Sequence, residues 1–250
     1  MIKYVVLSIL FFVSMPAFSI TNIESVRLYK PEDGLSGSIG INLSGESGDK
    51  EKDARQSSLR LDYTHAKHNY LGIVSVDFEE VNGRTSTDDR FAHLRYTYSV
   101  SHSTAIESYL QSEQDKFLTR DKRNLIGMGG RFLLEREDDR WSYFTGAGIY
   151  HTQEYYSNVG LDTEEYERFN FYLNGSWRIV EGISMSNTFY YQPRTNDIDD
   201  VYLLNAFLLA IDMAASLKLK FNHLYMYDSE PVLDLPKVTS RYSIEVAWQF

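Results

Sequence analysis

The chain alternates. From Gly34 onward, apolar side chains fall at every second position over long stretches. Ile39, Ile41 and Leu43 stand against Ser38, Gly40, Asn42 and Ser44. Leu59, Leu61 and Tyr63 stand against Arg60 and Asp62, and Val74, Val76 and Phe78 share one face. Ala92, Leu94, Tyr96 and Tyr98 oppose His93, Arg95 and Thr97, and Ile126, Met128, Gly130, Phe132 and Leu134 continue the rhythm. The run Phe169, Phe171, Leu173, Gly175, Trp177 and Ile179, set against Arg168, Asn170, Tyr172, Asn174, Ser176 and Arg178, is the longest. Leu217, Leu219 and Phe221 oppose Lys218, Lys220 and Asn222. A period of two is the signature of strands, because successive side chains point to opposite faces. In Ser103–Gln111, Trp141–Gln153 and Val201–Ile211 either face could be the apolar one. The pattern predicts about twelve strands, with ten to fourteen as the range.

Long and short connections take turns. Long polar links are expected near 45–53, 79–90, 113–122, 154–167, 193–200 and 227–237. Short ones are expected at Ala66-Lys67, Ser101-His102, Glu137-Asp138, Glu181-Gly182 and Met213-Ala214. Outer-membrane barrels sort their links in this way, with short periplasmic turns and longer extracellular loops. Prolines respect the strands. Pro193, Pro231 and Pro236 fall in long links, and a proline inside a strand would remove a ladder hydrogen bond.

The two ends carry separate signals. Lys3, the apolar run Tyr4–Val13 and the small residues Ala17 and Ser19 read as an export signal cleaved after Ser19. The run is too short to span a bilayer. The sequence therefore divides into a signal peptide at 1–19, a periplasmic lead at 20–33 and a barrel at 34–250. At the other end, Tyr242, Ile244, Val246, Trp248 and Phe250 place an apolar residue at every second position back from a terminal Phe. This looks like the assembly signal of bacterial outer-membrane barrels, and the barrel-assembly machinery is the partner it implies. Its physical content is a last strand with one lipid-facing side that must pair with the first. The fold expected is an all-β, transmembrane antiparallel β-barrel of the outer-membrane type.

Composition agrees. The 250 residues have a mean hydropathy of −0.36. That argues against several membrane helices and leaves a barrel open, since lipid-facing and lumen-facing residues average out. No Cys is present, which excludes disulfides, thiolate metal sites and cysteine nucleophiles. The six long links hold 22 acidic and 9 basic residues, a balance of −13, against −11 for the chain after Ser19. An acidic chain does not suit nucleic acid. The acidic loops read as a solvated outer surface, or as carboxylates that share divalent cations with lipopolysaccharide phosphates, although no EF-hand spacing occurs. No metal site or cofactor is expected, and outer-membrane lipid and lipopolysaccharide are the expected surroundings.

Parity assigns the lumen. Arg60, Asp62, Asp77, Arg95, Glu107, Arg131, Arg168, Arg178, Lys218, Lys220, Arg241 and Glu245 are expected to line it. Such a lining is either a packed ion-pair lattice or a narrow, anion-leaning pore. The small inward residues Gly40, Ser44, Ser75, Gly127, Gly129 and Ser186 leave volume unfilled and lean toward the pore.

The stretch Ala105–Gln111, then Asp115-Lys116-Phe117, then Arg123-Asn124-Leu125-Ile126-Gly127-Met128-Gly129-Gly130-Arg131 resembles the domain of unknown function 481 family, the salt-induced outer-membrane proteins. The resemblance spans roughly Gly34 to Phe250. It implies an outer-membrane barrel of a Gram-negative bacterium, with no assigned activity and no site residues. Three functions follow in order: a narrow channel or passive envelope-stress component, a sealed structural barrel whose acidic loops meet lipopolysaccharide or a partner, and a lipid-modifying enzyme.

The enzyme expectation is weak. Acyl-transfer barrels place His and Ser two apart on one strand. The residues two after His65, His68, His93, His102, His151 and His223 are Lys67, Tyr70, Arg95, Thr104, Gln153 and Tyr225. One cross-strand pair, His223 and Ser240, shares the outward face near the rim and reads as an interfacial His beside a strand-start Ser. No catalytic residue is assigned.

Two measurements test this reading. A closed barrel has no free edges, so unboiled and boiled samples should migrate differently in SDS gels. Trp248→Asp, or removal of Phe250, should lower the amount in the outer membrane, because a charge on the lipid face is costly at depth. Identical migration, or normal surface levels of both variants, would contradict it.

Overall fold

The structure is a computed structural model, and it describes residues 33–46, 52–115, 120–137, 140–156, 163–231 and 235–250. The export signal and most of the periplasmic lead lie outside the described residues.

Twelve strands follow in chain order: β1 (Gly34–Glu46), β2 (Lys52–His65), β3 (His68–Val81), β4 (Arg84–Ser99), β5 (Thr104–Asp115) and β6 (Arg120–Glu137). They continue as β7 (Trp141–Tyr155), β8 (Glu164–Val180), β9 (Ile183–Pro193), β10 (Val201–Ala214), β11 (Leu217–Asp228) and β12 (Val238–Gln249). Each pairs antiparallel with its neighbour in sequence, and β1 pairs with β12, so the sheet closes into a barrel. Closure leaves no sheet edge over the rungs that pair, which is what a hydrocarbon solvent requires.

Alternation sorts the side chains as the sequence predicts. Ile39, Ile41, Leu59, Leu61, Leu94, Ile126, Met128, Phe171, Leu173, Ile244 and Trp248 are exposed on the outer wall. Asp62, Asp77, Arg95, Glu107, Arg168 and Arg241 are buried inside it. Aromatic groups gather where bilayer meets water. At the short-turn end Trp141, Tyr143 and Trp177 form one cluster and Trp248 stacks on Phe250. Here the Trp177 indole N–H donates to the Tyr143 hydroxyl at 3.1 Å.

The ambiguous stretch Val201–Ile211 has a physical explanation. On β10 and β11 the inner face is itself apolar: Ala206, Leu224 and Met226 pack together with Tyr202 and Leu204 beside them. A second inner apolar group is Leu71, Ile73 and Phe91 on β3 and β4. Apolar residues on both faces erase the alternation.

At the long-loop end the strands run further than expected, most of all at one link. The link expected near 79–90 is a two-residue turn, Asn82-Gly83, with φ of 49° and 72°. Both residues adopt the left-handed region that a tight hairpin turn needs, and Asn-Gly is the preferred pair for it. The acids on either side, Glu79, Glu80, Asp88 and Asp89, are therefore strand residues. β6 and β8 run 18 and 17 residues, whereas a tilted strand crosses a bilayer in about 9–11. The strands project beyond the membrane at this end. One short turn also shifts: β10 continues through Met213-Ala214, and the chain reverses at 215–216.

The small inward residues leave less room than expected. The Tyr109 ring lies over Gly127, the Tyr172 ring over Gly146, and the Glu245 carboxylate over Gly40. A tyrosine laid across a glycine on the neighbouring strand fills the volume that the glycine lacks. Gly146→Leu should thus displace Tyr172 and destabilise the barrel by about 1–3 kcal/mol, the usual cost of overpacking. The temperature at which the SDS-resistant band disappears measures it, and an unchanged value would show that the ring has space to move.

Candidate functional site: the lumen and its extracellular vestibule

The lumen is crossed by a lattice of ion pairs. Near the short-turn end, Arg60 holds Asp62 at 2.9 Å, and Asp62 also accepts from the Asn69 side chain at 2.6 Å. Lys220 reaches Glu245 at 3.3 Å, and Ser58 donates to the same oxygen of Glu245. Midway up, Arg95 meets Glu107 at 3.2 Å while its guanidinium lies 5.0 Å from the centre of the Tyr109 ring. The Tyr172 hydroxyl reaches Glu107 from β8. A relay of hydroxyls and amides runs from Tyr150 to Gln192 (3.1 Å), Gln192 to Asn170 (2.9 Å) and Asn170 to Tyr109 (3.4 Å).

Toward the long-loop end the pairs become denser. Arg123 bridges Glu113 at 3.2 Å and Glu154 at 3.1 Å. Arg168 binds Asp200 at 2.6 Å and donates to the backbone oxygens of Gln192 and Asp200. Arg194 takes the other oxygen of Asp200 at 3.3 Å, and both guanidiniums sit near the Tyr166 ring.

One pair decides the shape of the lumen. Arg241 donates from Nη2 to both oxygens of Asp115, at 3.2 and 3.0 Å. Arg241 is on β12 and Asp115 on β5, with four strands between them one way round and six the other. The pair therefore joins nearly opposite walls. Its side chains are 4% and 6% exposed. A charge removed from water this far is tolerated only when a partner and hydrogen bonds replace the hydration it loses.

Two of the hollows at the long-loop end are separate. The larger of these is a vestibule of about 790 Å³, open solvent included, lined from β6 to β12. Arg168, Arg194, Asp200, Tyr156, Tyr166 and Tyr202 are in its wall. The smaller is lined by Ser75, Asp77, Asp89, Phe91, Glu113 and Asp115. They share no residue.

Most residues that parity assigned to the lumen lie there. Arg60, Asp62, Asp77, Arg95, Glu107, Arg168, Lys220, Arg241 and Glu245 join the lattice or its wall, and Arg131 stacks on the Phe144 ring at 3.9 Å. Two sit at the foot of the barrel. Lys218 pairs with Asp212 at 3.0 Å beside the turn, and Arg178 is exposed three residues before the Glu181-Gly182 turn. Their parity is inward, but their height places them below the lumen. Residues that the sequence reading left in loops, Glu113, Asp115, Glu154 and Asp200, prove central. The signal that would have found them is the continuation of strand parity into the polar links.

His223 and Ser240 do meet, with Nε2 2.9 Å from Oγ on the outer face. Among the described residues, no acid bonds to His223. Among the described residues, no three acidic or histidine side chains converge as a metal ion would need.

The family model described as a protein of unknown function, DUF481, matches residues 39–250. The chain belongs to this family. No curated protein matches it. Among solved structures it resembles the KdgM porin in complex with disordered oligogalacturonate, at 12% identity and a TM-score of 0.46, covering 86% of this chain and 99% of that one. It also resembles the NanC porin, at 12% identity and a TM-score of 0.47, covering 86% and 98%. An outer membrane channel from Pseudomonas putida F1 gives 12% and 0.49, covering 88% and 97%.

Height within the barrel separates two arginines that parity treats alike. Arg168→Ala should leave the buried Asp200 to Arg194 alone and cost up to about 3 kcal/mol, the low end for a buried pair that loses a partner. Arg178→Ala, at an exposed foot, should stay within about 0.5 kcal/mol of the parent. Unfolding by denaturant in detergent micelles measures both, and equal losses would refute the distinction.

Proposed function

We propose that this DUF481 protein is a resident barrel of the outer membrane whose lumen is held shut, a passive envelope component rather than a general diffusion pore or an enzyme. The observation that carries this reading is the Arg241–Asp115 bridge between nearly opposite walls. It favours the sealed lattice over the wet pore. Arg95–Glu107 with Tyr172, and the Tyr150–Gln192–Asn170–Tyr109 relay, support it below. Side chains that meet across the barrel divide and narrow the path of a hydrated ion.

The acidic long-loop end then forms the outer surface. Lipid and lipopolysaccharide are its surroundings, and the terminal strand is its handle for the barrel-assembly machinery. The lone His223–Ser240 contact supports no acyl transfer without an orienting group.

Planar-bilayer recording of the purified protein tests the reading. The parent should show no steady conductance. The double variant Arg241→Ala with Asp115→Ala removes both charges together, so neither is left buried alone, and it should open a small, steady current. A steady current through the parent would overturn the proposal, and silence in the double variant would show that this pair is not the seal.

A further inference from the structure

One patch of the lipid-facing wall is polar at the depth where the bilayer is most apolar. β9 has 11 residues, about the number that spans a bilayer, and Thr188 stands at its middle with five residues on either side. Ser186 and Thr188 are buried inside the barrel, so Asn187 and Phe189 point outward. On β10, Ala206 and Leu208 are buried inside, so Asn205 and Phe207 point outward. The register sets Asn187 opposite Phe207 and Asn205 opposite Phe189. The two amides are therefore diagonal neighbours that flank the centre of β9 on its lipid face. β10 is inside out here: Leu204 and Ala206 belong to an apolar group in the lumen, while Asn205 faces hydrocarbon.

Neither side-chain amide bonds to the other or to any further described residue. Other polar groups on the outer wall find partners. Asn124 accepts from Ser112, Gln153 donates to Glu165, and His223 meets Ser240. An amide without a partner is costly in an apolar medium, and lipid tails carry neither donor nor acceptor at this depth.

We propose that the outer wall of the β9–β10 hairpin is the surface through which two copies of this chain pair in the membrane, with Asn187 and Asn205 as its hydrogen-bonding centre. The chemistry of the amide identifies the occupant. It is donor and acceptor at once, so it complements another amide. Two copies in one membrane share an orientation, so the twofold axis between them runs along the membrane normal and each depth faces the same depth. A second copy thus presents matching amides at the required height, whereas a different protein would have to supply them independently. Phe189 and Phe207 occupy the other two corners of the patch and surround the amides with apolar contact. Ile198, in the link that joins these two strands, is 68% exposed, the highest value of any large apolar side chain among the described residues. A copy seated on the same hairpin brings an apolar surface to that end as well.

The chain has no cysteine, so a single introduced one reports alone. Phe189→Cys and Phe207→Cys, each in the full chain in the outer membrane, are oxidised and run on non-reducing gels. A disulfide-linked species of twice the chain mass should form at one or both positions. The control Val74→Cys, exposed on β3 six strands round the barrel, should form none. Sedimentation equilibrium of the parent in mild detergent, over a range of protein-to-detergent ratios, should follow a monomer–dimer equilibrium. Asn187→Leu with Asn205→Leu should weaken that dimer about tenfold, the effect of losing two interfacial amide contacts in a membrane. Its SDS-resistant band should persist, because leucine suits the lipid face. Should the cysteine variants fail to fold, sedimentation of the parent still decides. Monomers at every ratio, as expected if lipid alone covers the patch, overturn the proposal. So do linking at Val74→Cys as readily as at the patch, an adduct of another mass, and a double variant that pairs as tightly as the parent.

Discussion

Everything in this barrel depends on one constraint: in hydrocarbon, a backbone N–H or C=O must find its partner within the protein. The sheet therefore closes, and closure fixes one face of every strand toward lipid. The alternation then has only one place to put the other residues. Arg95, Glu107, Arg168 and Arg241 are lumen residues because their neighbours Leu94, Ile106, Phe169 and Tyr242 are taken by the outer wall. The polar lumen is a consequence of the lipid-facing band.

Enclosed charges need partners, and the lattice follows from that need. Glu107 is met by Arg95 from β4 and by Tyr172 from β8, and Asp200 is shared by Arg168 and Arg194. Such networks do not by themselves add much stability, since the attraction mainly offsets lost hydration. Their effect is geometric. A cross-strand pair such as Arg95–Glu107 fixes the distance between two strands, and Arg241–Asp115 fixes it across the barrel. The tyrosines do the same work with volume. Tyr109 and Tyr172 cover Gly127 and Gly146 while their hydroxyls reach Asn170 and Glu107. A ring of twelve strands could enclose a wide channel. Here long side chains and aromatic rings occupy it.

The fold was legible because period two is a strong signal and survives without any knowledge of partners. The lumen was legible in its wall and not in its pairing. Parity puts Arg241 inside but cannot say that its partner is on β5, because a sequence shows which face a residue takes and not which strand lies opposite. Asp115 and Asp200 were hidden for a second reason. They sit in polar stretches that read as loops, although strands continue through or up to them. Polar strands look like loops once they leave the bilayer, because both faces then meet water or other polar groups. The Asn82-Gly83 pair was the readable exception, a hairpin signal inside a stretch taken for a long link. Arg178 fails differently. Parity gives direction but not height, and three residues before a turn there is no lumen left to line.

The same constraint that closes the lumen makes the β1–β12 seam its weak point. All other neighbouring strands are joined by a chain link as well as by rungs, whereas β1 and β12 are joined by rungs alone. Their last rung coincides with two side-chain devices, Asn42 on the Ile244 carbonyl and Glu245 clasped by Lys220 and Ser58. Both act where an additional rung would otherwise be required. A carboxylate held by a lysine on one flank and a serine on the other ties β11, β12 and β2 together across β1. That arrangement keeps the periplasmic half shut without help from the outer half.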